Sequence, residues 1–210
     1  MADRAVLFID GNNWYHALKK SGVADLGRLN YRAVSEKLVG PRDWIATRYY
    51  VGRVRQEGNL SLYSAQRSFL ANLQATDSRI STHLGRLEPR IVKSEAAADL
   101  REYLYSLRTR IDRQVFHDLV EIARRHASTQ VMVEKAVDVM IAVDMVTMAE
   151  RDELDAAYLL SADGDFTPAV RAVVATGRKV YAASPSHGAQ LAAAATAFIR
   201  MDSAWFADCY

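Results

Sequence analysis

The chain has 210 residues, half of them apolar and a quarter charged, and a formal net charge of +2; these are the proportions of one good-sized soluble domain with room for an appended helical element. So small a net charge does not by itself demand nucleic acid, although arginines gather locally at Arg48, Arg53 and Arg55. A single cysteine, Cys209, excludes an internal disulfide and a zinc finger, and no apolar stretch approaches the roughly twenty residues of a membrane span, so a reducing, cytoplasmic setting with no membrane partner is expected.

The first stretch, VLFIDGNNWYHAL from Val6 to Leu18, is an apolar run that ends on Asp10, turns at Gly-Asn-Asn and takes up helical spacing with Trp14 and Leu18. It reads as a strand delivering a carboxylate to a sheet rim, followed by a helix over about 13–20. A second helix is expected from Tyr31 to Val39, with Asn30 as N-cap and Gly40-Pro41 as its stop. Asp43 to Gly52 is dense in β-branched and aromatic residues and predicts a buried strand. Leu60 to Ala75 has helical periodicity, and Ile80 to Leu87 predicts a third strand.

From Ser94 to about Ala127 the chain is rich in Ala, Glu and Arg, with Leu100, Leu104, Leu107, Ile111, Val115, Leu119 and Ile122 spaced by three or four. That predicts a long amphipathic helix or a helical hairpin, packed on the sheet domain or on a second subunit in a homodimer. His117 and His126 on it read as surface or packing residues rather than metal ligands. Val131 to Glu150 begins as a short strand or turn and continues as a helix. A fourth strand follows over about 156–161, then an acidic turn and a helix with Thr167-Pro168 in its first turn. RKVYAAS forms a fifth strand, and Gln190 to Ala197 a last helix. Five strands alternating with helices predict a parallel sheet covered on both faces, in one domain over 1–210 with an insertion at about 94–127.

Three segments carry acids: Asp10 after the first strand, Asp138 with Lys135 one helical turn before it, and Asp163 with Asp165 after the fourth. In a doubly wound sheet, strands one and four can adjoin where the strand order reverses, so Asp10 and Asp163 could share a crevice. Two carboxylates about 4 Å apart repel by about 4 kcal/mol at an effective dielectric near 20. Such a cluster calls for a cation or protonation, and oxygen ligands favour Mg²⁺ or Mn²⁺ over zinc. Each acid also has a plainer reading. Asp10 and Asp165 suit helix caps, and Lys135 suits an ion pair with Asp138. Asp144 lies about 240° around the helix from Asp138, so at most one of the two faces the cleft. Trp14, Tyr15 and His16 could offer a base a stacking surface, although aromatics at this helix start read first as packing.

In this order, FIDGNNWYHAL, EKAVDVMIAVDM and YLLSADGDFTPAVRAVVATGRKVYAAS resemble the motifs of the NYN domain family, LabA-like members of the PIN-like nuclease superfamily. The resemblance covers the first strand and roughly the last eighty residues. It implies a Rossmann-like α/β/α three-layer sandwich and a metal-dependent ribonuclease site. Positions matching Asp10, Asp138, Asp163 and Asp165 would form the acidic cluster, Asn13 would close the Asp-x-x-Asn motif, and Ser161 would line the pocket. The chain departs from the family in the insertion and in having Thr196 and Ala197 where the family often has an Asp before Phe-Ile.

The expectation is therefore an endoribonuclease acting on single-stranded RNA. Asp10, Asp138 and Asp163 would hold Mg²⁺ or Mn²⁺ directly or through water, and Lys135 would neutralise phosphate. The alternatives are a non-catalytic RNA-binding or scaffold module on the same fold and, last, a haloacid-dehalogenase-type phosphatase, which needs an acid where this chain has Asn12.

Overall fold

The computed structural model describes residues 2–23, 25–56 and 59–210. In chain order the first elements are β1 (Arg4–Asp10), α1 (Gly11–Lys20), α2 (Tyr31–Val39), β2 (Asp43–Arg53), α3 (Leu60–Thr76) and β3 (Ile80–Lys93). Then come α4 (Glu95–Ser106), α5 (Arg113–Arg125) and β4 (Ser128–Lys135). The remainder is α6 (Val137–Glu150), β5 (Ala156–Leu160), α7 (Thr167–Ala175), β6 (Lys179–Ser184), α8 (Ala189–Ala194) and β7 (Ala197–Arg200).

The strands form one sheet in the order β4-β3-β2-β1-β5-β6-β7. The pairs β1 with β2, β1 with β5, β2 with β3, β5 with β6 and β6 with β7 are all parallel. Strand order reverses between β1 and β5, and such a switch point opens a crevice at the carboxyl ends of the strands. β1 is buried from Ala5 through Asp10, as a central strand covered on both faces must be. Its residues alternate between two apolar layers. Ala5, Leu7 and Ile9 pack with Trp14 of α1, Val34 of α2 and Leu73 of α3, whereas Val6 and Phe8 pack with Ile141 of α6, Val170 of α7 and Leu191 of α8. Because side chains alternate along a strand, Asp10 falls in register with Val6 and Phe8, on the α6 side.

The chain divides into two compact units, one of residues up to Arg86 together with Glu134–Tyr210 and one of Leu87–Val133. Inside the second unit the amphipathic stretch forms a hairpin, one of the two forms its spacing allowed. Ser94 caps α4 by accepting from the Ala97 amide at 3.2 Å, and Asp112 caps α5 by accepting from the Gln114 amide at 2.8 Å. Leu104, Val120 and Ala123 form its small core, with Phe116 against them. Leu100, Tyr103, Val115, Leu119 and Ile122 remain exposed.

The α/β sandwich is the expected architecture, but among the described residues its sheet has seven strands where about five were predicted. The additions are β4, whose segment read as a short strand or turn, and β7, four residues that begin at the last residue of what read as the final helix. Both lie at sheet edges, where strands are short and half-covered and leave a weak alternation in sequence.

Candidate functional site

Asp10 ends β1 and caps α1 at once. Its Oδ1 accepts from the Asn13 amide at 3.2 Å, and its Oδ2 accepts from the Ser161 hydroxyl at 3.2 Å. That hydroxyl accepts in turn from the Asp163 amide at 3.1 Å. The Asn13 side-chain oxygen takes the Ala162 amide at 3.2 Å, so the loops after β1 and β5 are laced together across the switch point. The strand register, with Ile9 opposite Leu160, sets Asp10 beside Ser161. The turn after Asp10 has to be glycine. A Cβ on Gly11 would lie 2.7 Å from both the Tyr49 ring and the Tyr50 carbonyl oxygen.

Two further acids come from the β4–α6 connection. Glu134 accepts from the Gly52 amide, and Asp138 is the second residue of α6, where a carboxylate favours the positive end of the helix dipole. Between them Ala136 holds φ at 71°, a left-handed conformation that costs a residue with a Cβ about 1–2 kcal/mol. The connection presses against β3 at Gly85, where a Cβ would lie 2.5 Å from the Val137 side chain and 2.8 Å from the Lys135 carbonyl oxygen.

Asp10, Glu134, Asp138 and Asp163 line one cavity of about 420 Å³, with His16 and Lys20 of α1 on its wall. Burial, helped by Asp138 and Glu134 nearby and opposed by the Asn13 and Ser161 hydrogen bonds, lifts Asp10 to about 7. Burial also raises Glu134, with Asp138 adding to it, and Asp138 is raised by burial and by Asp163 and Asp165. Among the described residues none of these acids has an ion-pair partner. Asp144, by contrast, is bound by Arg48 at 2.8 Å and by the Tyr50 hydroxyl at 2.6 Å, and serves the fold.

The donors are all carboxylate oxygens, and the charges of Glu134, Asp138 and Asp163 act against ionisation of Asp10, Glu134 and Asp138; a hard divalent cation would relieve that repulsion. Among the described residues no three His, Cys, Asp or Glu side chains converge as direct ligands of one ion. A hard divalent cation here would be held by one or two carboxylates and otherwise through water, a mode usual for Mg²⁺.

Sequence reasoning singled out Asp10, Asn13, Asp138 and Asp163, and all four line this cavity. Asp165 is exposed beyond it and does not act as a cap; Asp163 does, accepting from the Asp165 amide at 3.0 Å. Ser161 is fully buried behind Asp10 rather than lining the cavity. Lys135 is exposed and outside the lining, and it is not one helical turn before Asp138, because it ends β4 and Ala136 breaks the run. Trp14 is buried, edge-on to Phe206 at 5.9 Å. Thr196 seats β7 on β6, accepting from the Val180 amide at 3.0 Å.

Glu134 and Lys20 were missed, and His16, read as packing before a stacking surface, stands on the cavity wall. Glu134 closes the apolar run VMVE much as Asp10 closes VLFID, and that is the signal that could have found it. His16 and Lys20 follow Asn13 by three and seven residues, on one helix face.

A family model described as NYN domain matches residues 4–202. No curated protein matches the chain significantly. Among solved structures, a crystal structure of a protein of unknown function from Vibrio parahaemolyticus RIMD 2210633 is similar at a TM-score of 0.58. It is 16% identical, over 96% of this chain and 94% of that one, a likeness of fold.

Proposed function

Because the chain belongs to the NYN domain family, we propose that it is a divalent-metal-dependent endoribonuclease that hydrolyses phosphodiester bonds in single-stranded RNA. NYN domains are a PIN-like nuclease family, which supports a nuclease role. The observation that carries the reading is the set of four carboxylates, without an ion pair among the described residues, that line one cavity at the switch point of the sheet.

Asp10, Glu134, Asp138 and Asp163 would hold Mg²⁺ or Mn²⁺, partly through water. When bound, the metal supplies an activated water and stabilises charge on the leaving oxygen. Ser161 and Asn13 fix the Asp10 carboxylate relative to the backbone that carries Asp163. Lys20 and His16 are placed to meet a phosphate, and the amino ends of α1 and α6 add a positive field. The three motifs quoted above favour a LabA-like member, the single cysteine favours a reducing, cytoplasmic setting, and the exposed face of the α4–α5 hairpin is where a homodimer would form.

The test is cleavage of a labelled single-stranded RNA with Mn²⁺ by the native chain and by Asp10→Asn and Asp138→Asn, whose folding is checked by circular dichroism. Cleavage should vanish in both variants while the spectra stay unchanged. Equal cleavage in all three would sink the catalytic assignment. The second reading, an RNA-binding module without catalysis, draws on the lack of three convergent ligands among the described residues, and predicts RNA binding with no Mn²⁺-dependent cleavage by the native chain.

A further inference from the structure

Next to the acidic cavity, and sharing Asn12 with it, lies a second cavity of about 350 Å³. Among the described residues Tyr15, Tyr31, Tyr49, Leu62 and Phe69 line it, and its volume falls within the roughly 300–1,000 Å³ of small-molecule sites. Tyr31, Tyr49 and Phe69 stand edge to face, with centroids 5.6 to 6.0 Å apart, and give it a firm aromatic floor. At the mouth, Tyr15 is 47% exposed and Leu62 54% exposed. Burial pushes the Tyr31 phenol up to about 12 and raises Tyr49 well above its ordinary value, so both rings stay uncharged.

A third depression shares Val54 and Gln66 with this cavity and carries Arg53, Arg55 and Arg67. All three arginines are exposed, and among the described residues none forms an ion pair. Gln66 separates the two depressions. Its amide donates to the Gly52 carbonyl at 2.8 Å and accepts from the Val54 amide at 2.9 Å, so it is committed to holding the β2 backbone.

An acidic cavity, an aromatic pocket and a row of guanidinium groups with no ion pair among the described residues thus follow one another along the carboxyl edge of the sheet. Flat rings receive flat rings, and arginines receive phosphate. A peptide side chain would fill the pocket but leave the arginines without a purpose. Resting on the nuclease reading above, we infer that the aromatic pocket takes one unpaired base of the RNA strand, next to the phosphodiester held at the acids. Arg53, Arg55 and Arg67 bind phosphates further along the strand. A paired base cannot enter, because its faces are stacked and its edge is occupied, so single-strand selectivity is built into the pocket. The walls offer few free polar groups, and recognition is by stacking with little sequence preference.

The test is binding by fluorescence anisotropy in EDTA, with the full chain and a labelled single-stranded 12-mer RNA. The same strand carrying abasic nucleotides and the corresponding duplex serve as comparisons. Tyr15→Ala should weaken binding of the single strand about tenfold, within the ~1–3 kcal/mol of a lost base stack, and should leave the abasic strand unaffected. Tyr15→Phe should bind as the native chain does. Ala65→Trp, which fills the pocket from the exposed surface of α3, should weaken binding as Tyr15→Ala does. Arg53→Gln with Arg67→Gln should lower the salt slope by about 1.4, at ~0.7 per phosphate contact on a single strand. Native affinity in Tyr15→Ala and Ala65→Trp, or a duplex bound as tightly as the single strand, would overturn the inference. The two readings fail separately. Loss of binding in Tyr15→Ala with no cleavage by the native chain defeats the catalytic assignment alone; cleavage that needs Asp10 and ignores Tyr15 and Ala65 defeats the pocket alone.

Discussion

The two ends of β1 hold acids in opposite ways. At its start, Asp155 is gripped by Arg4 at 2.9 Å and Arg178 at 2.8 Å, Asp152 by the same two arginines at 2.7 Å, and Asp3 by Lys179 at 2.9 Å. At its finish, Asp10, Glu134, Asp138 and Asp163 line one cavity with no ion pair among the described residues. Hydrogen bonds from Arg4 hold Asp155 down at about 2, while burial lifts Asp10 to about 7. Seven residues of one strand separate an edge whose charges are matched for stability from an edge whose charges are left unmatched, at a cost the fold has to carry. Carboxylates kept at such a cost mark a site for a cation or a reaction.

The largest expected effect is at Asp10. Asp10→Asn keeps a good helix cap but should lower Mn²⁺-dependent cleavage by at least about a hundredfold, the scale of losing one positioned electrostatic group. In EDTA at pH 8 the same variant should be more stable than the native chain by up to roughly 4 kcal/mol, because it never has to ionise a buried group. Urea denaturation at pH 8 and pH 4 checks this, and the difference should vanish at pH 4.

The pH dependence sharpens the contrast. Below about 3.8 Asp10 is protonated folded and unfolded; between there and about 7 the folded chain keeps a proton that the unfolded chain has released. Stability through Asp10 therefore falls as pH rises across that window and is level above it. Asp155 works the other way. Its contribution is present above its ordinary value and is lost as pH falls toward about 2. Asp155→Asn should thus flatten the acid limb of a stability profile and leave the limb between pH 4 and 7, which Asp10→Asn should remove. If both substitutions altered the same limb, the two edges would not be distinct.

A smaller effect is expected at Ser161, whose hydroxyl joins Asp10 to the Asp163 amide. Ser161→Ala should cost about 1–3 kcal/mol and raise the Asp10 titration further, as read by carbon NMR of its carboxyl group. The smallest is Ala136→Gly. Relieving the left-handed residue should stabilise the chain by about 1 kcal/mol in thermal unfolding, yet reduce cleavage by loosening Glu134 and Asp138.

Local chemistry in the sequence determined a good deal of this protein. The apolar run ending on Asp10 became a central strand, Asn30 caps α2 over its predicted span, accepting from the Arg32 and Ala33 amides, and Pro168 sits in the first turn of α7. These follow from periodicity, capping and turn residues, which act within a few positions of the chain. The reversal of strand order that brings the β1 and β5 loops together was also anticipated, and with it the joining of Asp10 and Asp163.

Only the tertiary structure decided which acids stand together and which are neutralised. Lys135 and Asp138 seemed to share a helix face until Ala136 adopted a left-handed turn against Gly85, which ended β4 at Lys135 and turned Glu134 to the cavity. Asp144 and Asp138 are the same residue on the same helix. Arg48 and Tyr50, nearly a hundred residues earlier in the chain, claim one of them and leave the other open. A sequence displays its charges in order along the chain, but burial and pairing are set by distances in space, and those distances separate the matched edge of this sheet from the unmatched one.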